Sequence, residues 1–121
     1  MTRPIFPDKL TLLHNPRCSK SRAAKALLDE RGVTYRERRY LDEPLSPQEL
    51  QELRRRLGRP AADWVRRGED EYKQARLSRD SDESTLLAAM AKHPVLIERP
   101  ILIAADRAVI GRPPELVLEL L

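Results

Sequence analysis

The stretch His14-Asn15-Pro16-Arg17-Cys18-Ser19-Lys20-Ser21-Arg22 joins a short apolar run to a segment of helical spacing, and it carries the only cysteine in 121 residues. The run before it, Lys9-Leu10-Thr11-Leu12-Leu13, has the length and texture of a buried strand. Beyond the loop, Ala23, Ala24, Ala26, Leu27 and Leu28 give one face of a helix from about Ser19 to Arg31, and Gly32 stands where a C-terminal cap belongs. Thr34 to Tyr40 is rich in β formers and reads as a second strand. Strand, helix and strand at these lengths make a βαβ unit, which implies a parallel pair with a right-handed crossover.

That reading puts Cys18 at a helix N-terminus, among backbone N–H groups without intrahelical partners. The positive end of the helix dipole, with Arg17, Lys20 and Arg22 close in sequence, favours a thiolate. Such surroundings bring a cysteine pKa from about 8.5 to between roughly 3.5 and 7.5. His14 adds a titratable group four residues earlier. The alternative is a small buried cysteine with no chemistry. A lone cysteine permits no intramolecular disulfide, so a redox cycle through Cys18 must be closed by an external thiol.

Farther along, Ser46-Pro47-Gln48-Glu49 is a capping box with proline at the first helical position. It opens a helix with Leu50, Leu53 and Leu57 on one face, closed by Gly58. Arg54, Arg55 and Arg56 on that helix read as a solvated outer face. Ala61 to Arg67 suggests a further short helix with Trp64 as a packing anchor, and Glu69 to Arg79 shows no decisive pattern. Asp80 and Glu83 have capping-box spacing ahead of a helix through Leu86, Leu87 and Met90 to about Lys92. His93 at its end reads as structural. Ile101 to Ala104 and Ala108 to Ile110 form a hairpin, and Leu116, Val117, Leu120 and Leu121 lie on a last helix after Pro113-Pro114.

At 14.0 kDa the chain has the size of one domain, residues 1–121, with a helical insertion at approximately 44–93. The first eight residues, with Pro4 and Pro7, read as a loose leader rather than a secretory signal. Nothing approaches the roughly 20 apolar residues of a membrane span, so a cytoplasmic protein with no membrane partner is expected. Arginine supplies 18 of the 23 basic residues, but the charges are interleaved with acids and only 4% of residues are aromatic. A mixed solvated surface is therefore expected rather than a nucleic-acid-binding one. Two histidines and one cysteine offer no metal-ligand set.

The nonapeptide around Cys18 resembles the His-Asn-Pro-x-Cys-x-x-Ser-Arg loop of the glutaredoxin-coupled arsenate reductase family. Two further stretches are similar to that family: His93-Pro94-Val95-Leu96-Ile97-Glu98-Arg99-Pro100-Ile101 and Gly111-Arg112-Pro113-Pro114-Glu115. A third, looser one is Asp63-Trp64-Val65-Arg66-Arg67, where either Arg66 or Arg67 matches the family's arginine. The resemblance runs from about Leu10 to Leu121 and implies an α/β, thioredoxin-like mixed sheet (βαβ…ββα) carrying the inserted helices. It implies that Cys18 attacks arsenate held by Arg66, Arg99 and Arg112, with His14 lowering the thiol pKa if cationic. Ser19 and Ser21 would hydrogen-bond the sulfur or the oxyanion, Asn15 would be a supporting residue, and Pro100 would face Cys18 through a cis or trans bond.

The same resemblance implies glutathione as cosubstrate, glutaredoxin as partner, arsenite as product and no bound cofactor or metal; a monomer is expected. Two rivals stay open. One is monothiol glutaredoxin-like exchange with glutathione mixed disulfides. The other is an RNA-polymerase-binding regulator of the same fold; such regulators carry Cys-x-x-Cys, where this chain has Ser21.

Overall fold

The computed structural model describes residues 5–121. Four strands, β1 (Leu10–Leu13), β2 (Arg36–Arg38), β3 (Ile101–Ala104) and β4 (Ala108–Ile110), form one mixed sheet in the order β2-β1-β3-β4. β2 lies parallel to β1, joined through helix α1 (Ser19–Glu30), while β3 and β4 run antiparallel as a hairpin. β2 is shorter than the expected Thr34 to Tyr40, because only Arg36, Glu37 and Arg38 find partners on the four-residue β1.

Alternation along the central strands sorts side chains to two faces. Leu12 and Leu102 pack with Ala24 and Leu28 of α1 and with Val117 of a C-terminal 3-10 segment, Pro114–Leu120. That segment replaces the expected last helix. Leu13, Ile101 and Ile103 join the larger core on the other side, with Leu50, Leu53, Trp64 and Met90. Trp64 is fully buried and its indole N–H donates to the Arg59 carbonyl at 3.3 Å, the packing anchor its sequence context suggests.

The chain between β2 and β3 is helical. α2 (Pro47–Leu57) opens on the Ser46/Glu49 capping box and ends at Gly58, whose φ of +66° is the left-handed cap that glycine adopts without strain. α3 (Asp70–Gln74) occupies the stretch without sequence pattern. α4 (Glu83–Lys92) is capped by Asp82, which accepts the Thr85 N–H at 2.8 Å, rather than by Asp80. The helix expected at Ala61 to Arg67 is only a 3-10 turn, Ala61–Asp63. Beyond it Val65 bridges Ile97 antiparallel, and the N–H of Arg66 reaches the Leu96 carbonyl at 2.7 Å. Tertiary pairing therefore keeps this segment extended and ties Arg66 to the segment bearing Arg99.

The leader is not loose where it is described. Phe6 is buried, and Arg56 donates to the carbonyls of Ile5 and Ala104, both at 2.9 Å. Arg56 is thus not on a solvated face, unlike Arg54 and Arg55. Residues 1–4, including Pro4, lie outside the described residues.

Candidate active site

Cys18 is the N-cap residue of α1, with extended φ and ψ of −96° and 123°. Its sulfur stands where an N-cap oxygen would accept from the first turn. Partial burial works against a thiolate there, but the N–H groups of Ser21 and Lys20 and the Arg99 guanidinium outweigh it and hold the thiol below its ordinary value. The preceding loop is internally braced. Asn15 Oδ1 accepts the Arg17 N–H at 3.0 Å, the Asn15 carbonyl accepts the Cys18 N–H at 3.0 Å, and Arg22 reaches the Pro16 carbonyl at 2.9 Å.

Ser21 and His14 have roles other than those expected. The Ser21 hydroxyl, fully buried, lies 2.7 Å from His14 Nδ1 and accepts the Asn15 N–H at 3.0 Å, so it staples the loop and does not serve the sulfur. Its backbone N–H is the part that faces Cys18. His14 is 3% exposed, and burial lowers its pKa below 6.5 although Glu37 pulls the other way. Burial thus works against the cationic form in which His14 would lower the thiol pKa. Ser19, exposed, occupies the first position of α1.

Three arginines converge from separate segments. Arg66 Nη1 donates to Glu98 Oε1 at 2.9 Å, Arg112 Nε lies 2.9 Å from the same oxygen as an ion pair, and the Arg99 N–H reaches it at 3.2 Å. Arg112 Nε also donates to the Arg99 carbonyl at 2.8 Å, and Arg66 is further held by Glu69 at 3.0 Å. Arg67 points elsewhere, capping the Ala62 carbonyl at 3.2 Å, so the member of this pair in the cluster is Arg66. Among the described residues Arg99 has no ion-pair partner, and its buried Nε has no acceptor. Two of the cations are thus committed to an internal carboxylate, and the one beside Cys18 is free.

The backbone that aims these groups is closely fitted. The Arg99–Pro100 and Arg112–Pro113 bonds are both cis. Gly111 packs so tightly on Pro100 that a Cβ there would sit 2.9 Å from the proline ring, and its N–H donates to the Pro100 carbonyl at 2.8 Å. Two residues of the site carry no signal in sequence. Glu98 fills a variable place in its motif, and Tyr40, just past β2, is 1% exposed with its hydroxyl among these cations. Burial pushes the Tyr40 phenol up to about 12, against the lowering influence of Arg99 and Arg66.

A depression of about 370 Å³ borders the loop, between His14, Asn15, Pro16 and Arg17 on one side and Arg39, Leu41 and Asp42 on the other. The larger groove of about 630 Å³ between α2 and α4 includes none of the residues around Cys18. No group of three metal-ligating side chains occurs among the described residues.

This assembly of thiol and arginines coincides with a family pattern. The model of the ArsC family matches residues 13–120. The chain belongs to the ArsC family. An ArsC relative, the arsenate reductase of Neisseria meningitidis serogroup A, is 44% identical over 109 residues, covering 88% of this chain and 93% of the relative. A protein of Escherichia coli, the uncharacterized protein YfgD, is 44% identical over 114 residues, covering 93% of this chain and 96% of its own length. The solved structure of an arsenate reductase from Vibrio cholerae superposes with a TM-score of 0.87 at 42% identity, covering 93% of this chain and 97% of that one. The fold is thus the thioredoxin-like α/β sheet of ArsC proteins.

Proposed function

We propose that this protein reduces arsenate to arsenite through Cys18. The observation that carries the reading is the Arg99 guanidinium, without a carboxylate partner among the described residues and adjacent to a thiol held below its ordinary pKa, in an ArsC chain whose relatives include named arsenate reductases. A multiply charged oxyanion leaving water needs fixed cations, and arginine offers two parallel donors without losing its proton.

In the proposed cycle the Cys18 thiolate attacks pentavalent arsenic, and one arsenate oxygen leaves as water. Arg99 binds the oxyanion directly; Arg66 and Arg112 share their donors between it and Glu98. Glutathione then replaces a second oxygen on arsenic, again released as water. A glutaredoxin thiol attacks the glutathione sulfur, two electrons pass to arsenic, and glutathione leaves as a mixed disulfide with glutaredoxin. Trivalent arsenic departs as arsenite when water displaces Cys18. Glutathione is a cosubstrate, and the chain acts as a monomer in the cytoplasm.

The test is arsenate-dependent NADPH consumption with glutathione, glutaredoxin and glutathione reductase, with Cys18→Ser as control. Turnover that needs both arsenate and Cys18 supports the cycle. Consumption driven by a glutathione mixed disulfide without arsenate would replace it by monothiol exchange.

A further inference from the structure

Among the described residues two buried side-chain polar atoms lack any hydrogen-bond partner, the Tyr40 hydroxyl and Arg99 Nε. Native chains leave few such groups unsatisfied, and each one calls for a reason. These two belong to the same site. The Arg99 guanidinium acts on both the Cys18 sulfur and the Tyr40 hydroxyl, and Tyr40 feels the charge of Cys18 and Arg66 as well. Arginine only donates, so Arg99 cannot accept the Tyr40 proton. The Tyr40 oxygen can take an Arg99 N–H, but the Tyr40 hydrogen then has no acceptor, and neither has Arg99 Nε.

A tetrahedral oxyanion supplies what is missing, since each of its oxygens accepts more than one hydrogen bond. We propose that Tyr40 is an oxyanion-binding residue, its hydroxyl donating to an oxygen of the anion that Arg99 holds for attack by Cys18. This rests on the arsenate reductase reading and adds a neutral donor to its three arginines. The phenol stays protonated across the working pH range, so it presents a hydrogen at every pH at which the thiolate is formed. An O–H donor also makes a demand that a guanidinium does not. It needs an unprotonated oxygen at that one place, and so it reads the orientation and protonation of the anion.

The experiment uses the full chain and Tyr40→Phe, which keeps the buried ring and removes one oxygen atom. Iodoacetamide alkylation of Cys18 is followed against arsenate concentration at constant ionic strength. Melting temperature and the pH profile of alkylation without anion are measured beside it. The expected result is an arsenate concentration for half-protection raised about tenfold or more, the loss of a hydrogen bond to a charged group. The pH profile should stay in place. The melting temperature should hold or rise, because an unsatisfied buried hydroxyl has been removed.

Unchanged half-protection, with wild-type protein still turning over arsenate, overturns the role of Tyr40 and leaves the reductase reading intact. A moved pH profile with unchanged half-protection assigns the hydroxyl to the thiolate instead, and a lowered melting temperature with unchanged half-protection assigns it to the fold. Wild-type protein that arsenate neither protects nor turns over with overturns both.

Discussion

Replacing Glu98 by glutamine removes the charge on which Arg66 and Arg112 meet, with little change of shape. In the native protein Glu98 Oε1 accepts from Arg66 Nη1 at 2.9 Å and from the Arg99 N–H at 3.2 Å and is ion-paired with Arg112 Nε at 2.9 Å, with the carboxylate side chain 24% exposed. Hydrogen bonds to charged groups contribute about 1.5–3 kcal/mol each, and charge on the acceptor accounts for roughly half of that. The amide oxygen of glutamine still accepts, so one weakened guanidinium hydrogen bond and one lost ion pair predict a loss of about 1–3 kcal/mol. Near 2.1 cal/mol/K per residue of unfolding entropy, that lowers the melting temperature by about 4–12 °C.

Binding should move the opposite way. Glu98 competes with the substrate anion for the same two guanidiniums, and one negative charge removed nearby is worth about 1 kcal/mol after screening, or roughly fivefold tighter arsenate protection of Cys18. Thermal unfolding and anion-protected alkylation on the same preparation read both effects. A variant that binds arsenate more weakly at an unchanged melting temperature would refute the competition and make Glu98 a positioning residue alone.

Arg99→Leu should move the alkylation midpoint of Cys18 to higher pH, because the guanidinium favours the thiolate; a midpoint that stays in place removes Arg99 from that role. The same variant should weaken oxyanion protection far more than Arg55→Ala, whose side chain lies on the exposed face of α2. His14, its folded pKa lowered by burial, stays neutral where the unfolded chain's histidine protonates near 6.5, so its contribution is complete above about pH 6.5 and is lost as the pH falls below that. Urea midpoints between pH 5 and 7 should therefore slope less steeply in His14→Gln, and parallel slopes would exclude His14 as a source. Arg56→Ala should cost about 2–4 kcal/mol, since it strands two carbonyls that a mostly buried guanidinium satisfies and removes one of the two arginines on Glu52, as chemical denaturation would show.

The elements most legible in the sequence are those whose signals are local. The Ser46/Glu49 capping box, Gly58 as a left-handed cap, the β3–β4 hairpin and Cys18 at the start of α1 all follow from neighbouring residues. Failures occur where distant pairing decides. Val65 and Arg66 look helical but are held extended by Ile97 and Leu96, and Arg56 sits in a row of arginines but turns inward to carbonyls of two other segments. Asp80 and Asp82 offer similar cap spacings, and only the side-chain reach to Thr85 chooses between them.

In the site, the arginines stand out because each lies in a patterned stretch, whereas Glu98 lies at a position the pattern leaves open. Tyr40 is invisible for another reason. A tyrosine after a strand reads as core, and nothing local shows that its oxygen lacks a partner.

Ser21 bears on how this chain could change. One nucleotide substitution turns many serine codons into cysteine, and a cysteine three residues after Cys18 would in principle provide an internal reductant. In this chain that route is opposed by the loop's own hydrogen bonds. The Ser21 oxygen is fully enclosed, 2.7 Å from His14 Nδ1 and 3.0 Å from the Asn15 nitrogen, distances too short for a sulfur atom, which is also a weak acceptor. Gaining the second thiol would loosen the brace that presents the first. In the proposed cycle the outside electron donor thus goes with the spacing of three atoms beneath the loop, and self-contained dithiol chemistry in this chain would need another brace for His14 and Asn15.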